Sequence, residues 1–222
     1  MSTFARRRYP CPTCRVEAER DVAVSLNGGR RDDLRSAILA GTFQRYRCAS
    51  CGAEYLVDDP FVYLDFGRKE WIASYPPSRE REWPALETEP VEDWRTTMIT
   101  HAAPVAREMS SGFRIRAVFG LAALREKLLC FEHGVDDGWL EVLKLDLMRS
   151  VPGIGLHPDR RPRLVDVLPD ALVVAGAFGV LRVSRDALTQ IRTDPIEWSE
   201  AWEAVTRGAW VDVGRVLLAP DR

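Results

Sequence analysis

Hydrophobic and polar residues alternate along residues 16–26, where Val22 and Leu26 share one parity and most of the charged residues occupy the other. This period of two predicts a half-buried strand. Apolar residues then recur at helical spacing within residues 32–40, and Gly41 stands where a left-handed carboxyl cap is expected. The pattern therefore predicts a strand followed by a short helix.

Aromatic and β-branched residues dominate three short stretches farther along, at residues 55–57, 61–66 and 70–74, and these predict further strands. Residues 75–90 are rich in proline and charge and show no period, which indicates a linker or an excursion over the surface. Residues 91–108 are only weakly helical.

The carboxyl-terminal part of the chain changes between helical and strand-like patterns. Leucines at helical spacing predict a helical hairpin over residues 121–150, with Gly134 between its helices. The other predicted elements are strands over residues 113–119, two strands within 164–183, helices over 184–191 and 196–206, and a final strand over 209–218.

Two pairs of cysteines stand out against these patterns, Cys11 with Cys14 and Cys48 with Cys51, each with a gap of two residues. This gap lets two thiolates bind one metal ion, and four thiolates with no open position are typical of a structural zinc site. We therefore expect one structural zinc ion per chain, with these four cysteines as its ligands.

Two alternatives stay open for the cysteine pairs. A redox dithiol needs an exposed cysteine of low pKa, usually at a helix amino terminus, whereas Cys11 precedes a predicted strand. Iron also binds four thiolates, so the sequence does not decide between zinc and iron.

The fifth cysteine, Cys130, lies in an apolar stretch and is expected to be buried. Arginines beside the pairs are expected to offset the negative charge of a metal–thiolate cluster; they are Arg8, Arg15, Arg45 and Arg47.

Together the elements predict an α+β fold with a zinc-ribbon-like small antiparallel sheet that holds both cysteine pairs, an inserted helix, a helical hairpin and further strands. The zinc-ribbon-like part spans residues 1–78, an irregular and weakly helical linker spans 79–112, and an α+β part spans 113–222. One continuous domain is the alternative, because 222 residues suit either one elaborated domain or two small ones.

Five segments carry a wider pattern in this order: CPTC, DDLRSAILAGTF, CASCGAEY, FVYLDFGRKEWIASYPP and LREKLLCFEHGVDDGWLEVLKLDL. The pattern resembles the CpXC-domain proteins, a bacterial and archaeal family named for its two cysteine-pair motifs, over most of the chain to about residue 190. Ala49 stands where the name-giving motif has proline, which removes a rigid turn residue but no ligand. The resemblance implies that the four paired cysteines are metal ligands, and it supplies no catalytic residue.

The composition is that of an ordinary globular protein, with 46% hydrophobic and 29% charged residues and a formal net charge of −2. This charge argues against coating of nucleic acid or anionic membrane by bulk electrostatics. The longest apolar stretch, residues 171–181, is shorter than the roughly 20 residues of a membrane span, and no apolar run of a secretion signal follows the early arginines. We expect a soluble, cytoplasmic protein with no membrane partner.

The preferred function is a zinc-binding, non-enzymatic protein-interaction or scaffold module with an unidentified protein partner. A nucleic-acid-binding zinc ribbon is an alternative, motivated by the cluster Arg6, Arg7 and Arg8, which is also typical of a solvated tail.

An enzyme is the other alternative, with a site in the region Glu132–Asp137. Glu132, His133, Asp136 and Asp137 gather acid and base groups there. We expect the acids instead to cap the second predicted helix, through Asp136 or Asp137, so we assign no catalytic residue.

Overall fold

The computed structural model describes residues 1–219, apart from the side chains of residues 106, 109 and 195. The chain divides into two compact units, Met1–Leu121 and Ala122–Arg222. Residues 220–222 of the predicted part 113–222 lie outside the described residues. Helices and strands are mixed in both units, which confirms the α+β class.

The strands of the first unit form two separate sheets. They are β1 (Thr3–Pro10), β2 (Glu17–Asn27), β3 (Arg45–Arg47), β4 (Glu54–Leu56), β5 (Phe61–Asp65), β6 (Glu70–Tyr75) and β7 (Arg114–Phe119). Within the described residues, one sheet has five strands in the order β1-β2-β5-β6-β7, and the other has two, β3 and β4. Pairing is antiparallel for β1–β2, β5–β6 and β3–β4 and parallel for β2–β5 and β6–β7.

A buried row of side chains crosses the middle of the larger sheet. Leu26 on β2 is paired with Tyr63 on β5, which is paired with Ile72 on β6. All three side chains have 0% exposure. Paired residues of neighbouring strands lie on one face of a sheet, so this row forms part of the hydrophobic core of the first unit.

The expectation of one small antiparallel sheet for both cysteine pairs is wrong. Cys11 follows β1, at the edge of the five-stranded mixed sheet, whereas Cys48 follows β3 in the two-stranded sheet. The predicted strand over residues 113–119 is β7, and it pairs with β6 in the first unit. Both parallel pairings join strands that are distant in sequence, which local patterns do not reveal.

The predicted inserted helix is present, and the segment expected to be irregular is a series of short helices. The helices of the first unit are α1 (Asp32–Leu39), α2 (Trp83–Leu86), α3 (Glu89–Arg95) and α4 (Pro104–Met109), with a π-helical turn at Thr96–Thr100. Helix α1 buries Ile38, and Gly41 has a φ of 71°, which confirms the predicted left-handed cap. In α2, Trp83 and Leu86 are buried, and this burial orders a proline-rich segment of weak helical propensity.

The second unit combines helices with a small antiparallel sheet. Its elements are α5 (Leu121–Glu132), which begins at the unit boundary, α6 (Asp137–Ser150), β8 (Arg163–Val167), β9 (Ala171–Gly176), β10 (Gly179–Ser184), α7 (Arg185–Thr193), α8 (Pro195–Thr206) and α9 (Gly214–Leu217). The sheet order is β10-β9-β8, and α6 packs against α7 and α8. The predicted helical hairpin is confirmed as α5 and α6.

The final strand predicted over residues 209–218 is wrong, because this segment forms turns and the short helix α9. Its residues Ala209, Trp210, Val211 and Val213 are all buried. A continuous buried run has no period of either kind, so strand and helix cannot be told apart from its pattern. None of the helices within residues 1–219 is long and apolar enough to cross a membrane.

Candidate metal centre

The first cysteine pair lies in a tight turn between β1 and β2. The backbone N–H of Cys11 donates to the carbonyl of Val16 at 2.9 Å, and the N–H of Arg15 donates to the carbonyl of Cys11 at 2.9 Å. Arg15 has a φ of 63°. The left-handed conformation costs a residue with a side chain about 1 to 2 kcal/mol, so tertiary contacts hold this turn in place.

The second cysteine pair lies in a turn of the same backbone geometry between β3 and β4. The N–H of Cys48 donates to the carbonyl of Ala53 at 2.8 Å, and the N–H of Gly52 donates to the carbonyl of Cys48 at 2.9 Å. Gly52 has a φ of 73° and takes the place that Arg15 has in the first turn. Glycine adopts this conformation without a steric cost, so the second turn is the less strained of the two.

The four sulfur atoms converge between the two turns. The Sγ atoms of Cys11 and Cys51 are 3.7 Å apart, and those of Cys14 and Cys48 are 3.6 Å apart. All four ligand atoms lie within 4.8 Å of one another. A tetrahedral zinc ion with Zn–S bonds of about 2.3 Å has sulfur–sulfur edges of about 3.8 Å. The residues present therefore fit one tetrahedral metal ion, and the structure brings together all four of the predicted ligands.

Backbone amides lower the pKa of the first cysteine of each pair. Amide hydrogen bonds from Cys14 and Thr13 outweigh the effect of burial and lower the pKa of Cys11 to about 6. In the second turn, the amides of Cys51 and Ser50 lower the pKa of Cys48 in the same way. A hydrogen bond to the charged form favours that form, so both sulfurs are prepared to bind a cation.

Cys51 is the sulfur that resists ionisation. The amide of Ala53 lowers its pKa, but the neighbouring thiols, that of Cys14 above all, together with burial raise it to about 12. Four thiolates in one place repel one another, and a bound divalent cation removes this obstacle because it deprotonates its thiol ligands.

The sulfurs rest on a small apolar cluster. Cys11 and Cys48 are 0% and 5% exposed, and they pack with Val22, Tyr55 and Val57. These residues come from the β1–β2 turn, β2, the β3–β4 turn and the end of β4. The cluster keeps water from one side of the site and joins the two sheets beneath it.

Arg20 braces the site in a way that the sequence pattern did not indicate. Its guanidinium lies 5.0 Å from the ring centroid of Tyr46 and 5.7 Å from that of Tyr55. It also donates to the hydroxyl of Tyr55 at 3.0 Å and to the carbonyl of Arg47 at 3.3 Å. A cation over two aromatic faces joins β2 to β3 and β4. The signal in the sequence is weak, because it consists of two tyrosines nine residues apart, of which only Tyr55 lies on a predicted strand.

Two of the four arginines expected to offset the charge of the cluster are directed elsewhere. Arg8 pairs with Glu19 at 3.6 Å, and Arg45 donates to the carbonyl of Gly41 at 3.4 Å. Arg47 does contact the second turn, where its Nε donates to the carbonyl of Gly52 at 3.2 Å. The amides of the turns act on the sulfurs directly, since they donate hydrogen bonds to Cys11 and Cys48.

The cluster Arg6, Arg7 and Arg8 lies in strand β1, so the interpretation as a solvated tail is wrong. Each guanidinium pairs with an acid: Arg6 with Asp21 at 3.1 Å, Arg7 with Asp59 at 2.7 Å and Arg8 with Glu19 at 3.6 Å. These pairs neutralise the positive charge that motivated the nucleic-acid alternative.

The residues of the enzyme alternative have separate places in the structure. Asp136 is the amino-terminal cap of α6 and accepts hydrogen bonds from two backbone amides at 2.9 and 3.0 Å, which confirms its predicted capping role. Asp137 is buried, and its carboxylate lies 3.4 Å from Nζ of Lys127. Glu132 and His133 are exposed at the end of α5.

A second cluster of charged residues is buried in the second unit, and sequence reasoning missed it. Four carboxylates face four cations there; the members are Glu126, Asp137, Glu141, Asp212, Lys127, Lys144, Arg161 and Arg163. Burial alone would raise the pKa of Glu126, but Lys144 and Arg163 lower it below its usual value. Burial also acts to raise the pKa of Asp212, but Arg163 and Arg161 lower it well below its usual value, whereas burial raises the pKa of Glu141.

Three of these carboxylates, Glu126, Glu141 and Asp212, have oxygens within 4.8 Å of one another, as in some cation sites. Lysine and arginine occupy the space between them, since Nζ of Lys144 lies 2.9 Å from Glu126 and 2.7 Å from Glu141, and Arg163 lies 2.6 Å from Asp212. Positive side chains exclude a metal cation by repulsion, so this cluster is an ion-pair network.

Comparison with family models matches residues 9–144 to the CpXC protein family. The match contains both cysteine pairs and ends at Lys144 in α6, whereas the resemblance in sequence was expected to continue to about residue 190. No curated protein and no solved structure matches the chain. Since the matched residues make up more than half of its length, the chain belongs to the CpXC protein family.

Proposed function

We propose that this protein binds one zinc ion through Cys11, Cys14, Cys48 and Cys51, and that the zinc is structural. The metal-ordered module then acts as a non-enzymatic surface or scaffold for another protein in the cytoplasm. The single observation that carries the metal assignment is the convergence of four sulfurs from two equivalent turns.

The donor set supports zinc in this structural role. Four thiolates fill a tetrahedral zinc ion, so no position is left for water or substrate. The chemistry supplied by such an ion is only a set of strong bonds between ligands. Here those bonds would join the β1–β2 turn to the β3–β4 turn, which belong to different sheets. The ion would thus act as a cross-link between two parts of the first unit.

The test is metal content by mass spectrometry on protein purified under reducing conditions, followed by thermal melting with and without a chelator. We expect one zinc per wild-type chain, loss of zinc in Cys48→Ser, and a lower melting temperature after chelation. Cys130→Ser is the matched control, because Cys130 is also a buried thiol but lies in α5, outside the sulfur cluster. It should retain zinc.

Two results would overturn this assignment. Iron in place of zinc, with the visible absorption of an iron–thiolate site, would reject the metal identity and keep the ligands. A metal-free wild-type protein with four reactive thiols would reject the site altogether.

A protein partner is proposed because a metal ion closed off by four thiolates has no catalytic role. A closed thiolate site performs no chemistry of its own, so its effect is to make the surrounding surface rigid. A partner found by affinity purification should bind again when both proteins are pure, and it should bind zinc-loaded wild type more tightly than Cys48→Ser. Equal binding of the two forms would contradict a role for the metal module.

A further inference from the structure

The four sulfurs of the proposed zinc site are not equally accessible. Cys11 and Cys48 are buried, Cys14 is partly buried, and Cys51 is exposed. An oxidant in solution therefore reaches the sulfur of Cys51 before it reaches the first cysteine of either pair. Exposure of a thiolate is one of the two properties that make a cysteine sensitive to oxidation.

Amide hydrogen bonds also distinguish Cys51 from the first cysteine of each pair. Cys11 receives hydrogen bonds from two amides, and so does Cys48, whereas Cys51 receives one, from Ala53. Each N–H group withdraws electron density from the sulfur that it contacts, and such outer contacts tune the reactivity of metal ligands. Cys51 is thus more exposed than Cys11 and Cys48 and accepts fewer amide hydrogen bonds than either.

A resolving cysteine is already in place beside Cys51. The Sγ atom of Cys11 lies 3.7 Å away, across the site and in the other turn. An oxidised cysteine next to a second thiolate is rapidly converted to a disulfide. The other close pair, Cys14 with Cys48 at 3.6 Å, has no exposed member, because Cys14 is partly buried and Cys48 is buried.

We propose that Cys51 is a peroxide-sensitive site whose oxidation ends in a Cys11–Cys51 disulfide and releases the zinc. This inference rests on the proposed zinc site. The Cys51 thiolate attacks one oxygen of hydrogen peroxide, which forms the S–O bond of a sulfenic acid, breaks the O–O bond and releases hydroxide. The Cys11 thiolate then attacks the Cys51 sulfur, the S–S bond forms, and the second hydroxide leaves. Two thiolates are oxidised by two electrons, and one peroxide is reduced. Only Cys14 and Cys48 then remain as ligands, so zinc affinity falls.

The experiment begins with zinc-loaded full-length protein whose metal content has been measured. Hydrogen peroxide is added, released zinc is followed with a chromogenic chelator, and the product is digested with trypsin without reduction. Cleavage at arginine places Cys11 and Cys14 in a peptide of residues 9–15 and Cys48 and Cys51 in one of residues 48–68. A disulfide between the two turns joins these peptides, whereas a disulfide within one turn leaves them separate. Fragmentation of the joined pair should assign the bond to Cys11 and Cys51.

A histidine variant tests the role of the exposed sulfur of Cys51, because three cysteines and one histidine still bind zinc. Cys51→His should release zinc on peroxide addition about tenfold more slowly than wild type, because it lacks the reactive thiolate. Cys130→Ser is the control, and it should release zinc at the wild-type rate because it removes a buried thiol of α5 and leaves all four ligands in place.

The failures of the two proposals are distinguishable. A protein without zinc before peroxide is added rejects the proposed function. A protein that contains one zinc and keeps it under peroxide rejects only the oxidation switch. Separate tryptic peptides, or equally fast release from Cys51→His, reject it as well. The peptide map of wild type decides the matter even if a histidine variant fails to hold zinc.

Discussion

Nζ of Lys144 donates a hydrogen bond to Oε1 of Glu126 at 2.9 Å, and both side chains are completely buried in the second unit. The same ammonium group lies 2.7 Å from Oε2 of Glu141. The single positive charge of Lys144 therefore offsets part of the negative charge of two buried carboxylates. Buried ion pairs of this kind contribute little relative to apolar residues, yet removal of one partner is costly because the other charge stays buried.

Lys144→Met should therefore destabilise the protein by about 3 to 5 kcal/mol, as removal of one partner from a buried pair does. The measurement is urea unfolding followed by circular dichroism. Arg6→Met is the control, because the pair of Arg6 with Asp21 is exposed and should contribute nothing measurable. If both variants unfold at the same urea concentration, the buried network does not have the energetic role assigned to it.

Asp136 caps α6, and its removal should cost about 1 kcal/mol in Asp136→Ala, the usual value for a lost amino-terminal cap. Asp136→Asn should be nearly neutral, because asparagine accepts the same two amide hydrogen bonds. The two variants compared by thermal melting thus separate capping from acid–base chemistry. A stable Asp136→Asn protein that has lost a measurable turnover would contradict the structural role.

Local signals explain which parts of the structure could be predicted. The two-residue gaps indicated the four cysteines whose sulfurs the structure brings together, and leucines at helical spacing with a glycine between the helices predicted α5 and α6. The parallel pairing of β2 with β5 has no local signal, since residues 28–60 intervene. The buried network was missed because Glu126 and Lys127 resemble an ordinary exposed pair on a helix. Their burial depends on Arg163 and Asp212, which lie far along the chain.

The side chain of Gln44 joins β2 to the segment that follows β4 by hydrogen bonds to the backbone of both. Its side chain is 7% exposed, accepts a hydrogen bond from the N–H of Ala23 at 2.7 Å and donates to the carbonyl of Val57 at 2.8 Å. Gln44→Leu should destabilise the protein by about 2 to 4 kcal/mol, because two backbone groups lose their partner in a buried place. Urea unfolding measures this loss.

Thr42→Val is a suitable control for Gln44→Leu. The hydroxyl of Thr42 donates to the carbonyl of Ala37 at 3.3 Å in an exposed position, where water replaces a lost hydrogen bond. We expect a change below about 0.5 kcal/mol, as for most surface substitutions. Comparable losses in the two variants would show that the Gln44 side chain does not bridge the segments.

Glu70 makes the free energy of unfolding depend on pH, with a sign opposite to that of a carboxyl group whose pKa is lowered by folding. Burial raises its pKa from 4.5 to about 7, although Arg35 and Arg114 act in the opposite direction. The folded protein therefore binds the proton more tightly than the unfolded chain, and stability falls as the pH rises from 4.5 to about 7. Glu70→Gln resembles the protonated side chain, so it should match wild type at pH 4 and exceed its stability at pH 8, as urea unfolding across this range would show. Glu203→Gln, at an exposed position of α8, should keep the wild-type pH profile. A Glu70→Gln profile that runs parallel to wild type from pH 4 to 8 would mean that Glu70 has the same pKa in the folded and unfolded states.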